Sequence, residues 1–322
     1  MHKERSSGVG LGLAALSAAT FSTSGPFARS LTDAGWSPAA AVTARICAAA
    51  VMLAVPGVLS MRGRWPALRR NAAMITVYGL VAVGACQLFF FNAVEHLSVG
   101  VALLLEYLGT VLVVAWMWAR HGHRPRRLTV AGSVVAILGL VLVLDLVGGA
   151  RLDAVGVLWA LGAACGLAAF FVLSASADLD LPPVAVASAG MTVAAVALLA
   201  LGGSGLLPIR ARFGSVELAG HRESWLVPVL GLSLVAAVIA YVAGIGAARI
   251  LGPKLASFVG LLEVVFAVLV AWLLLGELPT GFQLLGGVLI VAGVALVRID
   301  ELRPAPSLRE AQAASSRVPV RK

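Results

Sequence analysis

Apolar residues in this chain run in long unbroken blocks, broken only where proline, glycine and charge cluster. Ten blocks stand out, near 9–27, 39–59, 72–93, 99–119, 128–147, 154–174, 183–203, 225–247, 255–275 and 282–298. A helix needs about 20 mostly apolar residues to cross the hydrocarbon core of a bilayer. Barrel strands would instead alternate over roughly ten residues. The pattern therefore predicts an all-α integral membrane protein with ten transmembrane helices. The first block follows His2, Lys3, Glu4 and Arg5 in the manner of a signal peptide, but the helix count of the second half requires it as a span.

The middle of the chain repeats at its end. A shift of 154 positions superposes 93–143 on 247–297 without a gap, pairing Ala93, Leu108, Trp118, Pro125, Gly132 and Gly139 with Ala247, Leu262, Trp272, Pro279, Gly286 and Gly293. A match at fixed offset marks a duplicated unit. The expected halves are 9–147 (helices one to five) and 154–298 (helices six to ten), followed by a disordered cytoplasmic tail at 299–322 that is rich in proline, serine and scattered charge. In membrane proteins, duplication points to a transporter.

Composition agrees with a chain that lives in lipid: 60% of residues are hydrophobic, 12% are charged, and the mean hydropathy is +0.99. With the amino terminus inside, eighteen of the 24 lysines and arginines fall in cytoplasmic segments and five outside, leaving Arg45 within a helix. Basic loops stay cytoplasmic, so both termini are placed there. Five helices per unit is an odd number, which inverts the second copy. Arg124, Arg126 and Arg127 accordingly align with the uncharged Leu278, Thr280 and Gly281.

Topology thus accounts for the net charge of +9, and no aromatic-basic surface supports a nucleic-acid partner. Cys47, Cys86 and Cys165 read as small packing residues without metal-ligand spacing. Neither a phosphate loop nor a nucleophile elbow occurs, so an enzyme, an ATPase and a cofactor are not expected. Partners reduce to a small-molecule substrate, membrane lipid and, as coupling ion, protons. Abundant arginine and alanine hint at a high-GC bacterial source, hence a bacterial inner membrane.

A charge inside a bilayer is costly and marks a candidate site. Three lie well inside: Arg45, Glu106 and Glu263. At 1.5 Å per residue, Arg45 falls about 9 Å and Glu106 about 11 Å below the outer ends of their helices, so a structural ion pair between them is expected. Glu263 flanks the midplane from the opposite side. Gln87 aligns with Tyr241 at the repeat offset, and Phe90, Phe91, Asn92, Tyr107, Trp159 and Phe170 offer walls for a cavity. The candidate substrate-binding set is Glu106, Tyr107, Gln87, Phe91, Tyr241, Glu263, Trp159 and Phe170, whereas Glu95, His96, Asp145 and Glu277 read as solvated helix ends.

The run from Ala240 to Arg249, then Leu261-Leu262-Glu263-Val264-Val265-Phe266, Ala271-Trp272-Leu273-Leu274-Leu275-Gly276-Glu277 and Gln283-Leu284-Leu285-Gly286, resembles the second EamA repeat of the drug/metabolite transporter superfamily. Arg45 and Glu106-Tyr107-Leu108-Gly109-Thr110 give the first half the same resemblance, most similar to the branch holding threonine and homoserine exporters. Val264 and Thr110 depart from the pattern, standing where it carries prolines, which removes one cause of a kink at each place. The resemblance implies export of an amino acid or related metabolite by alternating access. A facilitative or importing carrier for another metabolite or drug, and a non-transporting receptor or scaffold, remain as alternatives.

Overall fold

A computed structural model describes residues 2–97, 99–122, 125–143, 153–176, 180–275 and 280–302. It is almost wholly helical, with α1 (His2–Phe21), α2 (Ser24–Asp33), α3 (Pro38–Ser60), α4 (Trp65–Arg70), α5 (Ala72–Val77), α6 (Cys86–His96), α7 (Val99–Tyr107), α8 (Gly109–His121) and α9 (Arg127–Val143) in the first half. The second half holds α10 (Ala154–Ser174), α11 (Pro183–Gly203), strands β1 (Ser215–Leu218) and β2 (His221–Ser224), then α12 (Leu226–Leu230), α13 (Ala240–Gly260), α14 (Leu262–Leu275) and α15 (Gly281–Leu302). Among the described residues, seven stretches are long and apolar enough to cross a membrane: Pro38–Ser60, Ala72–His96, Val101–Arg120, Ala154–Ser174, Pro183–Gly203, Leu226–Gly260 and Gly281–Asp300. Arg127–Leu142 adds a shorter apolar helix. The chain is a multi-pass membrane protein.

Several boundaries differ from those expected, each for a local reason. The first block does not continue to 27 as one helix. The hydroxyls of Ser22 and Thr23 donate to the carbonyls of Ala19 and Thr20 at 2.7 Å each, and α1 stops at Phe21. The eighth block runs on to Leu251 and is broken from the next helix at Gly252 (φ 78°, ψ 164°) before Pro253, in the expected gap between the eighth and ninth blocks. Proline excludes the helical conformation from its predecessor, and only glycine takes this one readily. At the other end α15 reaches Leu302, because Asp300 is buried and accepts a 2.5 Å hydrogen bond from the Thr129 hydroxyl, with Lys254 Nζ 3.8 Å away. The tail expected from 299 therefore starts no earlier than 303. Residues 303–322, Asp145 and Glu277 lie outside the described residues.

Where the prolines are missing, the helical hydrogen bonding tightens by one residue, Leu108 N donating to the Leu105 carbonyl at 3.2 Å and Leu261 N to the Phe258 carbonyl at 3.1 Å. Leu108 separates α7 from α8 and Leu261 separates α13 from α14, with φ/ψ of −58°/−16° and −58°/−20°. At the first break the Thr110 hydroxyl donates to the Tyr107 carbonyl at 2.9 Å. A Cβ on Gly109 would sit 2.7 Å from the Ala164 carbonyl oxygen, so the missing side chain lets α8 approach the backbone of α10. Two π-helical stretches, Tyr78–Ala85 between α5 and α6 and Gly231–Ile239 between α12 and α13, fall at corresponding places in the two halves.

Four helix pairs carry the packing: α1 with α13, α3 with α11, α6 with α10, and α9 with α15. The last pair is the tightest. A Cβ on Gly132 would lie 2.8 Å from the Gly293 carbonyl oxygen, and one on Gly139 2.6 Å from that of Gly286. Low numbers face high ones, so the two helices run antiparallel. Bare glycine faces supply close van der Waals contact where lipid removes the hydrophobic drive.

Polar caps fix the helix ends. The Ser37 hydroxyl accepts from Ala40 N at 3.2 Å with Pro38 opening α3, and the Asp153 carboxylate accepts from Val155 N at 2.7 Å and Gly156 N at 3.1 Å. Those two amides, Gly156 first, hold the Asp153 carboxyl below its ordinary range. The β1–β2 hairpin was not foreseen. Its turn residues Ala219 and Gly220 both take positive φ, 50° and 77°, as a two-residue hairpin loop demands, but without the asparagine or aspartate that usually signals it. Trp36 Nε1 donates to the Arg212 carbonyl at 2.6 Å and packs on Phe213 and Trp225, which pins the segment before the hairpin to the end of α3.

Candidate functional site

A cavity of about 810 Å³ opens between the ends of α2, α3 and α6, where Arg29, Trp36 and Glu95 line its mouth. It descends along α1, α3, α6, α7, α13 and α14 to two carboxylates, Glu106, which is buried, and Glu263, which is partly buried. Seven of the eight substrate-binding candidates line it: Glu106, Tyr107, Gln87, Phe91, Tyr241, Glu263 and Phe170. Arg45 and Phe90 do so as well. Trp159 does not. It stacks on Phe89 with ring centroids 5.2 Å apart, because its place on α10 turns it towards α6 and away from the cavity.

Arg45 also differs from expectation. Its Nη1 donates to Gln87 Oε1 at 2.8 Å and its Nη2 to the Ala236 carbonyl at 2.5 Å, while Cζ sits 5.8 Å from the centre of the Phe21 ring. No ion pair joins it to Glu106 among the described residues. A planar guanidinium is best satisfied by acceptors set to its fork. Gln87, directly after one π-helical stretch, and Ala236, inside the other, provide them. Arg45 thereby ties α3 to both halves of the chain, with Glu106 and Glu263 in its electrostatic reach.

Glu106 is 9% exposed, and the Cys86 thiol donates to its Oε1 at 3.7 Å. The Tyr107 hydroxyl is the hydrogen-bond partner of Glu263. Both carboxylates stand beside the helix breaks, Glu106 two residues before Leu108 and Glu263 two residues after Leu261. Beneath them, Phe170 packs on Tyr241 (5.3 Å) and on Phe171 (5.1 Å), and Tyr241 on Phe21 (5.2 Å), forming an aromatic floor.

Cys86, Ser17, Phe21, Trp36 and Phe171 line the cavity without having been singled out. Only Cys86 carried a signal, its place beside Gln87. A thiol in an apolar helix otherwise reads as packing. Asn92 turns back on its own helix, donating to the Leu88 carbonyl at 2.7 Å. Among the described residues no group of three histidine, cysteine or acidic side chains is placed to hold a metal ion.

The sequence profile of the EamA-like transporter family matches residues 8–145 and again 154–299. An uncharacterized inner membrane transporter of Salmonella typhimurium (strain LT2), YicL, is 25% identical over 240 residues, covering 74% of this chain and 76% of that protein. A protein crystal structure superposes with a TM-score of 0.70 over 92% of this chain and 97% of its own at 22% identity, a likeness of fold. The profile match spans both halves of the chain and includes the arginine, the two glutamates and the helix breaks that build the cavity, and the protein therefore belongs to the EamA-like transporter family, as a membrane transporter of a small molecule.

Proposed function

We propose that this transporter is a non-enzymatic secondary exporter of a small polar metabolite, an amino acid or derivative such as threonine or homoserine, in a bacterial plasma membrane. In this reading it has ten spanning helices in two inverted five-helix repeats, with both termini cytoplasmic. The matching helix breaks and π-helical stretches of the two halves, and the antiparallel α9–α15 pair, support the inverted arrangement. The segment bearing Arg62, Arg64, Arg69 and Arg70 joins the end of α3 opposite the cavity mouth, which supports a mouth that faces outward.

The observation that carries the reading is a cavity of about 810 Å³ ending on one carboxylate from each half. A zwitterionic amino acid brings an ammonium that matches Glu106, and a volume of this order holds such a solute with water to spare. Substrate and proton compete for the same carboxylate. Release to the outside with proton uptake there, then return with proton loss inside, couples export to the proton gradient. Glu263 and Tyr107 close the other side of the pocket, and rocking of the repeats exposes the site to each face in turn.

The test is efflux of labelled L-threonine and L-homoserine from liposomes containing the purified protein. Efflux above that of protein-free liposomes, stimulated by an inward proton gradient, is expected. Absence of efflux for both amino acids contradicts the substrate assignment.

A further inference from the structure

On the side of the aromatic floor away from the cavity mouth, four polar atoms are buried without partners in one place. Arg249, near the end of the first part of α13, donates Nη1 to the Leu181 carbonyl, while its Nε and Nη2 are buried with no hydrogen-bond partner among the described residues. The Tyr78 hydroxyl and the Ser174 hydroxyl are likewise unpartnered, and both side chains are fully buried. The Tyr78 and Ser174 hydroxyls lie close enough to interact with each other, short of a well-aligned hydrogen bond, and Tyr78 stands beside the Arg249 guanidinium. Its ring packs 6.2 Å from that of Phe170, the residue of the floor.

Buried donors without acceptors are costly and rare, and four together call for a missing acceptor. Nε and Nη2 are the two donors on one edge of a guanidinium, the edge that a carboxylate occupies with two parallel hydrogen bonds. Two hydroxyls beside that edge suit the remaining lone pairs. Arg249 is partly exposed as a residue while its Nε and Nη2 are covered, so the cluster lies just beneath the surface. Along α13 it stands eight residues beyond Tyr241, about 12 Å at helical rise, with the floor between.

We propose that Arg249, Tyr78 and Ser174 form a second binding site for a carboxylate, which takes up the substrate's acid group on the cytoplasmic side before the substrate passes the Phe170–Tyr241 floor. The proposal deepens the export reading and rests on it for direction. A carboxylate on the Nε and Nη2 edge leaves Nη1 with the Leu181 carbonyl, so the guanidinium is held in place as the substrate binds.

The site is tested on the full-length protein in detergent by modification of Arg249 with phenylglyoxal, read by peptide mass spectrometry, with exposed Arg62 as internal control. Acetate is the probe and acetamide its neutral counterpart. Acetate is expected to slow labelling of Arg249 about tenfold at ten times its dissociation constant, with Arg62 unaffected and acetamide inert. Tyr78→Phe, which keeps the ring on Phe170, and Ser174→Ala should each raise the acetate concentration needed for half protection.

Equal effects of acetate and acetamide overturn the proposal, as does protection unchanged in both variants. An Arg249 that never labels overturns it too, since a site closed to the reagent is closed to a ligand. Protection by phosphatidylglycerol vesicles without protection by acetate assigns the site to a lipid headgroup and contradicts a substrate role. Acetate protection in a protein that fails to release threonine leaves this site standing and removes only the amino-acid reading.

Discussion

Arg45 is 2% exposed in apolar surroundings and is held by two neutral acceptors and a ring. Its charge is spread over three contacts on three different elements, which is why it does not need Glu106. Lysine is more strongly hydrated and lacks the fork by which two separate nitrogens of Arg45 reach Gln87 and Ala236. Arg45→Lys is expected to lower stability by about 1–3 kcal/mol through the acceptors left unpaired, measured as a fall in the thermal unfolding midpoint of the purified protein. Which residues carry charge into the membrane was legible in the sequence, because three such side chains in this hydropathy cannot hide. Their partners were not. Arg45 reaches Ala236 across 191 positions through a carbonyl in a π-helical stretch, and nothing in an apolar run announces which carbonyl is free. Trp159 failed for a related reason: periodicity puts an aromatic on a helix, but which neighbour it faces depends on the packing of α10 on α6.

Among the elements, blocks opened by a cap or by proline matched expectation best. Pro183–Gly203 and Ala154–Ser174 begin and end where the apolar runs do. The first block was misjudged because hydroxyl groups at Ser22 and Thr23 stop a helix that hydropathy alone would continue. The α9–α15 seam rests on backbone contact, so a side chain there forces the helices apart. Gly132→Leu is expected to destabilise by about 1–3 kcal/mol, whereas Gly12→Ala, whose added Cβ meets nothing within 4 Å, should leave the unfolding midpoint unchanged or raised. Thermal unfolding of the two variants side by side checks this.

The cap at Asp153 belongs to the same scale. Its carboxyl is held below the ordinary carboxylate range by the amides of Gly156 and Val155. A group depressed in the folded state contributes stability above its unfolded pKa and loses it as pH falls through the folded value. The excess stability of the natural protein over Asp153→Ala should therefore be full at neutral pH. It should shrink as pH drops below about 3.8, as followed by unfolding midpoints across an acid series.

At the scale of the molecule, the duplication was legible from aligned residues alone, and the two halves matched by the family profile share helix breaks and π-helical stretches at corresponding places. The proposed orientation rests on the distribution of charge and has its own test. In a background with Cys47, Cys86 and Cys165 replaced by alanine, Arg69→Cys should react with a membrane-impermeant maleimide only from the cytoplasmic side, and Glu217→Cys only from the outside. The reverse pattern contradicts the proposed topology.

The central claim is that a cavity ending on Glu106 moves substrate against a proton. It is tested most directly by threonine efflux from proteoliposomes with an imposed inward proton gradient, comparing the natural protein with Glu106→Gln at equal incorporation. The account predicts gradient-stimulated efflux that falls by about tenfold or more in Glu106→Gln, a loss of about 1.4 kcal/mol for each factor of ten. Stimulated efflux of equal rate in both proteins would contradict it.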